Sequence, residues 1–394
     1  MGFFRRLLSS DHRAARAAEA AGDPDAAATH YGLAGDRESA VRMHLARAAR
    51  AADRNAELAA LRDALHWAGD EAPLVAQASA ALGRALYAKA KAEGIATARD
   101  RERVREAATL LLAGGAEREA GDAFQAIGDL GAAAQAFSDA GLIDKVESAL
   151  SADEARSSAE KAARDAFSDY ELQRRLGRRS QARLALAQSL AAQPSDDRQR
   201  VLDALAADLI TGARVELRVR GGDPIIVTAR PLVALGRDAV CDLPLRTGGV
   251  SRRHAEIEVS AAGFALRDGG SRNGTLIGGL PVAGKVPLLG VGQVELGEDC
   301  KVDYEVVGAP AVLYLRVGTG LDRGRRLVVT RGDQLTALAP AGVDAELVFT
   351  DGAPWLGRPV GGFTLGEDRI ATGRAQLIVG DVVTWPGHTL EVST

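Results

Sequence analysis

Aromatic side chains are scarce in this chain, with 8 Phe, 3 Trp and 5 Tyr in 394 residues. Any core must therefore be packed mainly from Ala, Leu and Val. Cysteine is nearly absent: Cys241 and Cys300 are the two, which excludes a disulfide-stapled scaffold and points to a reduced, cytoplasmic protein. Excess positive charge is missing too. The net charge is −4, with 29 Lys+Arg against 32 Asp+Glu through residue 208 and 20 against 21 after it. Neither part carries a field that would draw in nucleic acid, so any anion site has to be a local cluster. No segment approaches the run of about 18 apolar residues that would span a membrane. Residues Met1 to Leu8 are too short an apolar stretch for a signal peptide, and Arg6 stands where a myristoylation motif wants Ser or Thr; they read as an amphipathic lead-in to the first helix.

Catalytic signatures are missing as well. Two cysteines and six histidines do not assemble into a zinc spacing, and there is no triad motif or carboxylate pair. The segment Gly279 to Lys285 has P-loop spacing but continues into Val286 and strand-like residues, with no helix N-terminus to hold a phosphate. The chain reads as a binder rather than an enzyme, with no cofactor and no metal. Hydrophobic content of 46% still excludes wholesale disorder.

What is present changes sharply near residue 209. Before it lie 14 of the 44 glycines, and after it, in a shorter stretch, the other 30. The first part is Ala-, Arg- and Glu-rich with helical spacing, as in Ala56 to Trp67. The second alternates apolar and polar residues between Gly-rich turns, as in Val215 to Arg220 and Ala255 to Val259. The switch of period from about 3.6 to 2 marks a boundary and predicts a multidomain α + β protein. Within residues 1–208, Gly22-Asp23, Gly35-Asp36 and Gly128-Asp129 each precede an Ala-rich stretch. Glycine there can end one helix and Asp can cap the next. Ala120, Gly121, Phe124, Ala133, Phe137 and Ala140 resemble the small and aromatic positions of a tetratricopeptide hairpin, which implies a helical-repeat solenoid offering a surface to a protein partner. Two further helices are expected over 151–200, with a break at Gln193 to Asp197.

The β-rich part divides again near Val307 to Pro310. Residues 313–317 (Leu-Tyr-Leu-Arg-Val) echo residues 215–219 (Val-Glu-Leu-Arg-Val), and both pieces end in strand, turn, closing strand. Residues 308–394 are therefore either a second, degenerate copy of the 209–307 sandwich or an unrelated small β-domain. They lack a Ser-x-x-His and an Asn-Gly.

The most informative residues are three polar clusters set in β-patterned sequence: Gly236-Arg237, then Ser251-Arg252-Arg253-His254, then Ser271-Arg272-Asn273-Gly274-Thr275. Guanidinium groups match a phosphate bidentately, a hydroxyl and a carboxamide add neutral hydrogen bonds, and Asn-Gly suits a tight turn. In order and spacing they resemble the forkhead-associated (FHA) domain, a phosphothreonine-reading β-sandwich. That resemblance implies roles residue by residue. Arg237 would be the principal phosphate ligand, Ser251 the hydroxyl on a phosphate oxygen, and Arg252 and Arg272 supporting contacts. Asn273 would grip the peptide main chain, while Gly236, His254 and Gly274 would be architectural. Gly278-Gly279 departs from the Asn-Gly common in relatives. The implied protein is a cytoplasmic adaptor: helical repeats (1–208), an FHA sandwich (209–307) and a C-terminal β-domain (308–394). Its expected partners are a phosphothreonine protein, a Ser/Thr kinase or its substrate, and a second protein on the repeats, with no nucleic acid or membrane. The alternative is a phosphorylation-independent scaffold.

Overall fold

A computed structural model describes residues 9–358, 361–370 and 373–394; the lead-in at 1–8 lies outside them. Two compact units, residues 1–158 and 159–394, divide the chain.

The first unit is helical. Its described elements are α1 (Ser10–Ala20), α2 (Pro24–Leu33), α3 (Arg37–Ala49), α4 (Arg54–Ala68), α5 (Ala72–Glu93), α6 (Ala98–Ala113), α7 (Glu117–Ala126), α8 (Leu130–Asp139) and the start of α9 (Ile143–Arg175). From α1 to α8, each packs chiefly on its neighbours in sequence, as in a solenoid. The Gly-Asp turns work as their residue types suggest. Gly22, Gly35 and Gly128 have positive φ, and the carboxylates of Asp23, Asp36 and Asp129 accept backbone N–H groups of α2, α3 and α8. Alanine lets these helices approach closely. The α7–α8 hairpin is tighter still, since a Cβ on Gly121 would fall 2.4 Å from the Phe137 ring.

The second unit begins within α9 and holds α10 (Arg179–Ala192), α11 (Asp196–Asp208) and all the strands. The composition change near 209 is thus the helix-to-strand switch, whereas compactness changes at 158. The reason is that the turn before α10 covers an open sheet edge. The N–H of Gln376 donates to Gly177 O (2.8 Å), and the Gln376 side chain bonds Ser180 at both ends.

The strands form two sandwiches, and their pairing departs from chain order. One 12-stranded sheet runs β18 (Asp368–Ile370), β17 (Phe363–Leu365), β20 (Val382–Trp385), β21 (His388–Ser393), β1 (Arg214–Val219), β2 (Pro224–Thr228), β13 (Arg326–Val329), β12 (Val312–Val317), β11 (Cys300–Val307), β10 (Val291–Leu296), β7 (Thr275–Ile277) and β8 (Leu280–Pro281), in that order. Its two halves have the same hairpin order, read outward from the middle. A five-stranded sheet, β4 (Leu243–Pro244), β3 (Leu232–Gly236), β5 (Ala255–Ser260), β6 (Gly263–Asp268) and β9 (Val286–Leu288), covers one half, and a four-stranded sheet, β14 (Thr336–Ala337), β15 (Glu346–Thr350), β16 (Ala353–Gly357) and β19 (Arg374–Gln376), covers the other. The C-terminal sandwich therefore repeats the topology of the first. Yet β1 (Arg214–Val219) and β2 (Pro224–Thr228) pack into the C-terminal core, against Leu347, Phe349, Leu356 and Leu390. The first sandwich, β3 (Leu232–Gly236) through β11 (Cys300–Val307), is completed instead by β12 (Val312–Val317) and β13 (Arg326–Val329). Strand pairs thus cross the linear division at 307.

β2 and β13 meet in parallel at the middle of the long sheet, Ile226 opposite Leu327 and Val227 opposite Val328. Alternation sends Ile226, Leu327 and Val329 into the first core and Val227 and Val328 into the second. Both strands are buried on both faces, as parallel strands usually are. Just beyond the pair, Thr330 N–H donates to Thr228 O (2.9 Å), so the chain leaves the C-terminal sandwich and returns to it one hydrogen bond apart.

Two outcomes are expected. A fragment of residues 209–307 lacks Leu313, Leu315, Val317, Leu327 and Val329, all at most 2% exposed. At roughly 1.5–3 kcal/mol each, their burial is comparable to the roughly 5–15 kcal/mol that stabilises a whole domain. By circular dichroism and NMR dispersion that fragment should show no cooperative melt, whereas 230–331 and 159–394 should. Separately, His44 is buried with both ring nitrogens unpartnered, and burial, then the nearby Arg47, lowers its pKa from 6.5. The unfolded chain therefore takes up that proton first, so stability present above pH 6.5 is lost as pH falls below it. Thermal melts of His44→Leu should show a weaker acid-side decline than wild type; an unchanged decline would remove His44 as its source.

Candidate functional site

The five predicted contact residues come from three loops at one end of the first sandwich, and each loop is held by a different device. β3 brings the chain to Gly236, where a Cβ would lie 2.2 Å from the Arg252 carbonyl oxygen. Only glycine permits that approach. The contact is then stitched by Arg237 N–H to Ser251 O (2.9 Å) and Asp238 N–H to Arg252 O (3.0 Å). Gly236 thus sets Arg237 beside Ser251 and Arg252.

His254 holds the second loop, which joins β4 (Leu243–Pro244) to β5 (Ala255–Ser260). Its ring is fully buried. Ser251 N–H donates to Nδ1 (3.0 Å), so that nitrogen is the unprotonated one; Nε2 carries the hydrogen and donates to Gly274 O (3.0 Å). One imidazole therefore ties the Ser251 loop to the Asn273 turn.

The third loop, between β6 (Gly263–Asp268) and β7 (Thr275–Ile277), is organised by Asp268. Its carboxylate accepts the N–H groups of Gly270 and Ser271 (both 2.9 Å) and the hydroxyls of Ser271 and Thr275 (both 2.6 Å). Burial alone would raise its pKa, but the Ser271 and Thr275 hydrogen bonds outweigh it and hold the carboxyl below its ordinary value. Sequence reasoning passed over Asp268. The available signal was an Asp three residues before Ser271 and seven before Thr275, the spacing of a side chain folding a turn onto itself.

The structure brings Arg237, Ser251, Arg252, Arg272 and Asn273 around one open groove of about 880 Å³. Ser251 Oγ accepts Arg272 N–H (3.0 Å), which leaves its hydroxyl hydrogen free to donate. Asn273 Nδ2 donates to Gly249 O (2.9 Å), which leaves Oδ1 as an acceptor. The guanidinium groups of Arg237, Arg252 and Arg272 are exposed and have no ion-pair or hydrogen-bond partner among the described residues. Several other arginines of the same sandwich are committed. Arg253 and Arg267 share Glu256, Arg230 reaches Asp242 (2.9 Å) and Arg246 reaches Asp322 (3.0 Å).

Both cysteines are free and buried, and burial pushes the Cys300 thiol up to about 11. The P-loop-like segment is strand and turn, its Lys285 bound to Glu258 (2.5 Å). Among the described residues no cluster of His, Cys, Asp and Glu is arranged to hold a metal, and no helix is long and apolar enough to cross a membrane.

The FHA domain family model matches residues 233–297. No curated protein matches the chain. Among solved structures, an FHA domain from work on phosphothreonine-dependent FHA domain interactions is 30% identical, covering 21% of this chain and 88% of its own, with TM-score 0.18. The FhaA FHA domain complexed with the intracellular domain of Rv3910 is 31% identical, covering 21% and 91%, with TM-score 0.18. The FHA domain of a Chlamydia trachomatis protein is 27% identical, covering 21% and 89%, with TM-score 0.18. The family match begins in β3 and spans all three loops, so the chain contains a forkhead-associated domain over residues 233–297.

Proposed function

We propose that the protein is a non-enzymatic cytoplasmic adaptor that reads phosphothreonine on a partner protein in Ser/Thr-kinase signalling, through Arg237, Ser251, Arg252, Arg272 and Asn273. One observation carries the reading: three exposed guanidiniums without partners among the described residues surround a hydroxyl that still has a hydrogen to donate. Phosphothreonine brings about −1.5 to −2 charges and three strong acceptors, which is what such a cluster lacks. The net charge of the chain is negative, so this attraction is local. The neighbours support the same chemistry, since one comes from work on phosphothreonine-dependent interactions. The helical unit serves a second protein partner in this reading, its packing of successive hairpins being consistent with a tetratricopeptide-like solenoid.

The phosphothreonine comes from another molecule. Residues 1–208 contain three threonines: Thr29 and Thr109 lie inside α2 and α6 with their hydroxyls bonded to backbone carbonyls, and Thr97 caps α6. Thr97 alone has extended backbone, as a cap does, and its hydroxyl is engaged with Asp100, so none of the three lies in a free extended segment, the form in which such a peptide is read. Phosphosite mapping after kinase treatment should find no stoichiometric phosphate on them; its presence, with loss of binding in trans, would overturn this part.

Arg237→Ala should weaken a phosphothreonine peptide by roughly 2–3 kcal/mol, on the order of 30- to 150-fold, because a charge-assisted bidentate contact is lost. Ser251→Ala should cost about half as much in free energy. Arg237 is exposed, so its removal should leave the melting temperature nearly unchanged. Calorimetric titration of phosphorylated and unphosphorylated peptide pools checks both. Equal affinity for the two pools, or a wild-type-like Arg237→Ala, favours a phosphorylation-independent scaffold.

A further inference from the structure

The loop joining β12 to β13 lies at the same end of the first sandwich as the groove, although its sequence lies beyond the family match. Gly318 N–H donates to Lys301 O (2.8 Å), and the Thr319 hydroxyl stands between Lys301 N–H and Asp299 O, 2.9 Å from each. Asp322 is 2% exposed at its side chain. Its carboxylate accepts the backbone N–H of Arg246 (2.5 Å) and Arg246 Nε (3.0 Å). Arg325 Nη1 donates to Pro244 O (3.0 Å), and Gly320 abuts the Thr247 hydroxyl. Each contact falls on Pro244, Arg246 or Thr247, where the chain enters the loop that carries Ser251 and Arg252, or on Asp299 and Lys301. The Asp299 carboxylate in turn borders Gly249, the residue whose carbonyl holds Asn273.

A buried carboxylate is costly unless it is paired and hydrogen-bonded. Asp322 meets that cost by gripping one residue twice, through main chain and side chain, and this fixes both the path and the tilt of the loop at Arg246. A groove whose ligands sit on loops recognises its target only as well as those loops are held. We propose that Asp322 and Thr319 are positioning residues of the phosphothreonine groove: the β12–β13 hairpin clamps the loop bearing Ser251 and Arg252. The inference rests on the phosphothreonine reading for its ligand, but the clamp itself can be measured without one.

The test uses the full chain. Asp322→Asn keeps the shape but sets an amide hydrogen against the Arg246 donors. Three readouts are needed: calorimetric affinity for the phosphorylated and unphosphorylated peptide pools, hydrogen exchange of backbone amides, and the melting temperature. The expected result is a loss on the order of tenfold for the phosphorylated pool alone, smaller than that of Arg237→Ala. Exchange should accelerate at residues 246–253 while the helical unit is unaffected. Thr319→Val, which removes only the bridging hydroxyl, should move affinity and exchange in the same direction, and it serves as the measurement if Asp322→Asn does not fold. A wild-type preference for phosphopeptide that survives both substitutions undiminished overturns the positioning role alone. Exchange accelerated evenly over the sandwich, with affinity of the folded protein unchanged, also overturns it, since Asp322 would then be merely structural. A wild type that binds both pools equally overturns the phosphothreonine reading; exchange confined to 246–253 would then still support the clamp.

Discussion

The parallel pairing of β2 with β13 gives both strands protein on each side and each face. The two strands of that seam are shared between the cores by alternation: Ile226 serves one core and its neighbours Ile225 and Val227 the other, while Leu327 and Val328 divide in the same way. A strand so placed can neither slip by one residue, which would turn its apolar set to the wrong core, nor leave without exposing two hydrophobic surfaces. The seam also turns two sheets of six strands into one of twelve, with no open edge at its centre. The hairpin β12–β13 is thereby fixed along one side by β2 and along the other by β11, and its loop inherits that rigidity.

The groove has the opposite character. Its scaffold is oversupplied with bonds, since His254, Asp268 and Asp322 are each buried or half-buried and each satisfied by two or more donors or acceptors. Its lining is undersupplied, with three guanidiniums unanswered. Positive groups held close together repel one another, and the hydrogen bonds beneath keep them in place until an anion relieves that repulsion. In the C-terminal sandwich Arg358 shows the contrast, being paired with Asp344 and stacked over Trp385.

Much of this was legible in the sequence. The three clusters fell together because turn chemistry is local: Gly236, Asn273 and Gly274 declare their backbone shapes, and the arginines between them have no apolar reason to be where they are. The Gly-Asp helix turns were legible for the same reason. Strand pairing was not. Residues 215–219 and 313–317 have nearly the same apolar alternation, so either segment satisfies the face requirement of either sandwich, and nothing local records which neighbour each one takes. The division at 158 was equally hidden, because composition follows secondary structure whereas compactness follows contacts such as Gln376 with Gly177. Asp322 escaped notice because an Asp in a Gly-rich turn usually caps its own loop; its partner Arg246 lies 76 residues away.

The hydrogen bond between Thr330 and Thr228 has a thermodynamic consequence. To the C-terminal sandwich, the first sandwich is a guest inserted between β2 and β14. While the guest is unfolded, its host must close a loop of roughly 100 residues, and relative to a short turn that costs about 2.5 kcal/mol in chain entropy. Once the guest has folded, its two ends meet and the host sees only a tight turn. The groove-bearing sandwich is therefore the natural first structure to form, and its folding lends the interrupted sandwich stability that the latter's own contacts do not supply.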